Sequence, residues 1–314
     1  QHKNNFYEVN WENRFVHGQK ETSMKTFLKI GLIVFIIGIV GSIGFGIWAY
    51  PELKKEEEVV DKSYTYEQDA YEGIHLEFSN QAVEMKKSTD GKIHIDFIHE
   101  KHEEVTVVGS TLTISVTSTW WDQFINSSLI NFGDWFVARK ATIQLPESLY
   151  KVYIKTTNGG FTVNGVDTES MELRTTNGII MVENSHSDSF LLKTSNGAIV
   201  LTNMEAVNIK GDSSNGRLTF TNLTAEVINA ETSNGNIILD VINSPKLDTT
   251  TSNGTITGTN ITSNDMKFNT SNGAINLTVK GLFEDYKVKT KTSNGNVKIN
   301  EAEYGNATYH DTKI

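Results

Sequence analysis

The chain contains no cysteine, which excludes disulfides, thiol nucleophiles, Fe–S clusters and Cys-ligated zinc. Proline is scarce, three residues in 314, a length that allows one large domain or two ordinary ones. Basic residues are outnumbered, 28 Lys+Arg against 38 Asp+Glu, and the net charge of −10 argues against a nucleic-acid partner. A Gly-x-Ser-x-Gly elbow, a phosphate loop and the calcium nonapeptide of repeat toxins are all missing. The one His/acid cluster, His94 with His99-Glu100-Lys101-His102-Glu103-Glu104, lacks the H-E-x-x-H spacing and reads as a solvated charge run. Asp167, Asp188, Asp212, Asp240, Asp248 and Asp265 share no column of the repeat described below. A glycoside hydrolase needs two carboxylates at a defined separation. The expectation is a chain that is not an enzyme, with no catalytic residue, no cofactor and no metal.

One apolar run is long. Residues 30–50, IGLIVFIIGIVGSIGFGIWAY, hold 21 residues without a charge, and a bilayer core takes about 20 as a helix. Lys25 and Lys29 precede it, Trp48 and Tyr50 close it, and Pro51 and a charged stretch follow. A cleaved signal peptide would have an apolar core of about 7–15 residues before a small-residue site, and Ile47-Trp48-Ala49 fits such a site poorly. The expectation is therefore a signal-anchor transmembrane helix over 25–50. Lys3, Arg14, Lys20, Lys25 and Lys29 place the N-terminus in the cytoplasm and the rest outside, in a single-pass cell-membrane protein. Gly38, Ser42 and Gly46 form a stripe that either packs two anchors or reflects ordinary transmembrane glycine enrichment. Residues 1–24 are a short cytoplasmic tail or sequence upstream of a start at Met24, and 51–63 are a charged linker.

The strongest signal is self-similarity. Thr/Ser-Asn-Gly triplets place Asn158-Gly159, Asn177-Gly178, Asn196-Gly197, Asn215-Gly216, Asn234-Gly235, Asn253-Gly254, Asn272-Gly273 and Asn294-Gly295 at steps of 19, six times running, then 22. A fixed period near 20 means a solenoid. Counting each Asn as zero, apolar residues fill −6 (Val152 to Val288), +3 (Phe161 to Val297) and nearly all of +5 (Val163 to Ile299). That is period-two alternation on both sides of a turn, the mark of half-buried strands. A meander of Asn-Gly hairpins is the alternative, but it requires no fixed period. The expected fold is all-β: a single-chain β-solenoid (β-helix) of about 19 residues per coil over 151–300, with three inward columns. Asn and Gly at the turn are expected to supply positive φ. Like residues should stack, giving an Asn amide ladder, a Thr/Ser file at −2 and a partial second Asn file at Asn184, Asn203, Asn222 and Asn260.

Residues 64–150 read as degenerate rungs or a cap, and 301–314 as a polar C-terminal cap or tail. Within the former, 120–136 (WWDQFINSSLINFGDWF) concentrate Trp120, Trp121, Phe124, Phe132, Trp135 and Phe136. This is either a loop folded back over the solenoid end or an exposed candidate interaction loop.

With these motifs in view, the Thr/Ser-Asn-Gly-x-Ile copies, the Ile143-Gln144-Leu145-Pro146 lead-in and the anchor MKTFLKIGLIVFIIGIVGSIGFG resemble a bacterial family. It is the putative-adhesin domain family of unknown function with β-strand repeats, including LiaG-type membrane-anchored envelope proteins. The resemblance implies an anchored envelope protein, surface adhesion and a link to envelope stress, and it transfers no binding or catalytic residue. The function expected is non-catalytic binding or scaffolding. The partners expected are the lipid bilayer through the anchor, an unidentified envelope protein or polysaccharide, and no nucleic acid. The alternatives are an enzyme acting on envelope glycans and a self-assembling structural solenoid.

Overall fold

A computed structural model describes residues 60–99, 103–116, 140–147, 149–281, 287–303 and 307–310. All of them belong to one unit, Glu58–Ile314. The anchor expected over 25–50 and the aromatic segment 120–136 lie outside the described residues. Among those described, no helix is long and apolar enough to cross a membrane.

The unit is an all-β solenoid of about eight turns with about 19 residues per turn. Each coil supplies a segment to each of two parallel stacks, joined by the Ser/Thr-Asn-Gly turn, and Ile199–Ser213 and Leu218–Thr232 are single strands that run through both stacks. In the first stack, Leu149–Lys155, Asp167–Arg174 and His186–Thr194 pair in sequence, and the stack runs on to Lys287–Lys291. In the second, Phe161–Asn164 and Ile180–Glu183 lead through to Val297–Ile299. The register follows the repeat: Ile180 pairs with Ile199, Ile199 with Leu218 and Leu218 with Ile237.

The interior is thicker than three columns. Columns −6, +3 and +5 are buried from Val152 to Val288, Phe161 to Val297 and Val163 to Ile299. Two further files point inward. Position −4 carries Ile154, Leu173, Leu192, Ala230, Thr249, Phe268 and Thr290, and +8 carries Val166, Ser185, Met204, Leu223, Ile242 and Ile261. These files mix apolar with hydroxyl residues, so hydrophobicity alone hides them. At +8, Ser185 bonds locally: its Oγ accepts from Val166 N at 3.2 Å and donates to Glu183 O at 2.8 Å. Volumes are matched within a coil. A Cβ on Gly211 would sit 2.8 Å from the Phe220 ring, so the large residue at +5 takes the space left at −4.

At the N-terminal end, spatial order departs from chain order. Gly73–Phe78 and Ala82–Lys87 lie directly against Leu149–Lys155 and Phe161–Asn164. The later strands Thr111–Val116 and Lys140–Leu145 lie outside them. Antiparallel strands follow at each edge: Glu103–Val108 on Thr111–Val116, and Val60–Tyr66 on Ile93–His99, itself paired to Lys140–Leu145. The C-terminal end closes in the same way, with Ala302–Glu303 on Val297–Ile299 and Ala307–His310 on Lys287–Lys291. An antiparallel edge breaks the parallel template that would otherwise accept another chain.

Candidate functional site

The turn edge is the most regular surface of the molecule. Asn177 Nδ2 donates to Asn158 Oδ1 at 2.7 Å, Asn196 to Asn177 at 2.7 Å and Asn215 to Asn196 at 2.8 Å. Asn234, Asn253, Asn272 and Asn294 continue the file at 2.6–2.7 Å. A ninth member, Asn80, accepts from Asn158 at 2.7 Å. It escapes the repeat count because its triplet reads Ser79-Asn80-Gln81 and lies 78 residues from its neighbour. The alternation of Ile74, Leu76 and Phe78 before a Ser-Asn pair was the available signal.

Behind the amides, the −2 hydroxyls bridge coils. Thr194 Oγ1 accepts from Gly197 N in its own coil at 3.1 Å and donates to Gly178 O in the preceding coil at 3.1 Å. Ser213, Thr232, Thr251 and Thr270 repeat both bonds. Each hydroxyl thus satisfies a donor and an acceptor that burial would leave orphaned.

The role of the turn glycines is not the one expected. Neither Asn nor Gly of the triplets has positive φ. Instead, a Cβ on Gly159, Gly178, Gly197, Gly216, Gly235, Gly254, Gly273 or Gly295 would fall 1.6–2.0 Å from a carbonyl oxygen of the preceding coil. Glycine is required for backbone approach between coils. Gln81 occupies this position in the outermost turn of the file.

Positive φ belongs to the other corner. Asn184, Asn203 and Asn222 have φ of 49–54° and form a second amide file, at 3.0 Å from Asn203 to Asn184 and 2.8 Å from Asn222 to Asn203. Val241 interrupts it at the same φ. Asn260 then donates to Asp240 Oδ1 at 3.1 Å, and Thr259 Oγ1 donates to the same atom at 2.6 Å. These bonds hold the Asp240 carboxyl below its ordinary value, Thr259 first and then Asn260.

Several carboxylates are taken up by contacts between and within coils. Asp212 pairs with Lys193 at 3.2 Å and Asp248 with Lys267 at 3.0 Å, each across one coil step. On the outward face nearer the N-terminal end, Glu77 lies 3.3 Å from His75 Nε2 and 3.9 Å from Lys155 Nζ, and the Glu172 carboxylate pairs with Arg174. Tyr153 packs on His75 with ring centroids 4.3 Å apart, and desolvation raises its phenol above the ordinary value. Of the His/acid run, residues 100–102 lie outside the described residues. His94 is held elsewhere, its Nε2 donating to Asp90 at 2.9 and 3.0 Å. Among the described residues, no group of three or more His, Cys, Asp or Glu is placed to hold a metal.

With this geometry established, comparison with known proteins is informative. The profile described as Toastrack DUF4097 matches residues 71–313. The chain belongs to the Toastrack DUF4097 family. This Toastrack unit is also similar to two solved structures. One is a putative adhesin from Parabacteroides merdae, 11% identical, with 76% of this chain and 95% of that chain covered and a TM-score of 0.54. The other is a putative adhesin from Parabacteroides distasonis, 13% identical, with 77% and 97% covered and a TM-score of 0.52. At such identities the likeness is one of fold. Comparison with curated proteins gives no match.

Proposed function

We propose that this Toastrack chain is a non-catalytic binding or scaffolding protein of the bacterial cell envelope, adhesin-like in role. In this reading residues 25–50 hold it at the cell membrane and the solenoid stands outside, engaging an envelope protein or polysaccharide. The observation that carries it is the register of the paired strands between Leu149 and Ile299, shifted at one irregularity between Gly258 and Ile261, which lays like side chains in files along an extended surface. Asp212, Asp240 and Asp248 are bonded to neighbouring lysine, amide and hydroxyl groups rather than gathered as a hydrolase would need, which supports the non-catalytic reading. The names of the two similar structures support the same reading.

The test is capture from bacterial envelopes with the full chain, tagged at its C-terminus, alongside a chain lacking 120–136. A saturable partner recovered chemically unchanged is the expected result. Equal recovery by both chains would assign the contact to the solenoid and dismiss the aromatic segment. A partner returned cleaved or modified would overturn the non-catalytic reading. Protease digestion of intact cells tests the topology, since only an outward solenoid is shaved.

A further inference from the structure

The outward face of the first stack ends in a row of lysines. In the strand Lys287–Lys291, Val288 and Thr290 point into the core at 0% and 2% exposure, so Lys287, Lys289 and Lys291 point outward. Alternate residues of a parallel strand lie about 6.6 Å apart, so three positive charges span about 13 Å. On earlier coils of this face, Lys193 pairs with Asp212 and Lys267 with Asp248. None of the three terminal lysines makes an ion pair with a described residue. In register they stand beside Asp265, Lys267 and Asn269. Edge protection does not account for them, because Ala307–His310 pairs beyond this strand and takes the edge position. Backbone pairing on both sides fixes the row's spacing before any partner arrives.

We propose that this row docks an extended phosphodiester-linked polyol, a thin polyanion carrying one charge per unit. The proposal deepens the binding role above and rests on it. Ammonium groups are compact point charges that pair with single phosphate oxygens and need no planar fork. A single line of charge with Asp265 and Asp248 behind it fits one chain laid along the strand. A flat anionic membrane would press on those carboxylates as well.

The test titrates the full chain with a fluorescently labelled glycerol-phosphate polymer, read by anisotropy at several salt concentrations. Three contacts predict a slope of log K against log salt of about −2, at about −0.7 per contact. The triple variant Lys287→Gln, Lys289→Gln, Lys291→Gln should bind at least about tenfold more weakly at low salt and lose that slope. The control Lys151→Gln, Lys210→Gln, Lys246→Gln removes equal charge from exposed positions on earlier coils and should bind as the parent does. Absence of parent binding, or equal loss in both variants, would overturn the proposal. So would tighter binding to anionic phospholipid vesicles or to single-stranded DNA of matched charge. If envelope capture persists while polymer binding fails, the row is misassigned and the binding role stands.

Discussion

Val241 is the one β-branched residue held at positive φ among the described residues, at 53°, where the neighbouring coils place Asn222 and Asn260. A Cβ-branched side chain is strained there, at a cost of order 1–3 kcal/mol. Asn tolerates the region because its short amide bonds locally. Replacing Val241, which is 40% exposed and contributes little to the core, should relieve strain and offer Asn222 and Asn260 an amide between them. Val241→Asn is therefore expected to stabilise by about 1 kcal/mol, raising Tm by about 2–4 °C in thermal denaturation. An unchanged or lower Tm would show that the valine is not strained. The same position illustrates what was legible from residue types alone. The second Asn file was visible in the sequence, but its backbone conformation was assigned to the wrong corner. Asn-Gly suggests a left-handed turn, and nothing within one coil reveals that the next coil's carbonyl occupies the space a Cβ would need.

Within a single strand, Lys246–Thr251, two threonines have opposite energetics. Thr249 is fully buried and its Oγ1 has no hydrogen-bond partner. Thr251 Oγ1 donates to Gly235 O at 3.0 Å and accepts from Gly254 N at 3.2 Å. Valine has nearly the same shape as threonine without its hydroxyl. Thr249→Val should stabilise by about 1 kcal/mol, because an unpaired buried hydroxyl is removed. Thr251→Val should destabilise by about 1–3 kcal/mol, because a buried N–H and C=O lose their partner. Chemical denaturation of the two single variants checks the pair, and equal signs would refute the bridging role of the −2 file. The sequence marks position −2 plainly, since every coil holds Thr or Ser there. It leaves −4 obscure, because Thr249 and Gly211 share that file with Leu192 and Phe268 and only the facing strand explains each choice.

The turn from Ser88 to Gly91 provides an element whose stability depends on pH. Asp90 accepts from His94 Nε2, from Lys92 N at 3.0 Å and from Ser88 Oγ at 2.8 Å. These bonds, His94 first, hold the carboxyl well below its ordinary value of 3.8. A depressed carboxyl stabilises the fold above its unfolded pKa, and that contribution is lost as pH falls through the folded value. Tm followed from pH 6 down to about pH 2 should decline in the parent, with a shallower decline in Asp90→Asn from a lower starting point. Parallel curves would show that Asp90 is not coupled to folding. Asp90-Gly91 reads as a turn in the sequence, but the contact with His94 required the antiparallel return of Ile93–His99.

Across the whole unit, both ends are closed by strands that run against the parallel stacks, and this bears on whether such chains polymerise. Glu103–Val108 and Val60–Tyr66 finish one end, and Ala302–Glu303 and Ala307–His310 finish the other. The outer coils were hard to read from the sequence because the chain enters the solenoid one rung inside its end, continues outward and returns at Leu149. No period survives that path. At the C-terminal end, truncation after Asn300 would remove both capping strands and bare Val297–Ile299 and Lys287–Lys291 together. The lysines of the latter resist pairing with another chain, whereas Val297–Ile299 carries one lysine between two buried apolar residues. Association should therefore begin on the second stack. The truncated chain is expected to show concentration-dependent light scattering while the full chain remains at one size. An additional Lys298→Val substitution should increase the scattering by removing the only charged side chain of that strand. A truncated chain that stayed at one size at every concentration would mean that the end coils resist pairing without their caps, and that the antiparallel strands serve local stability alone.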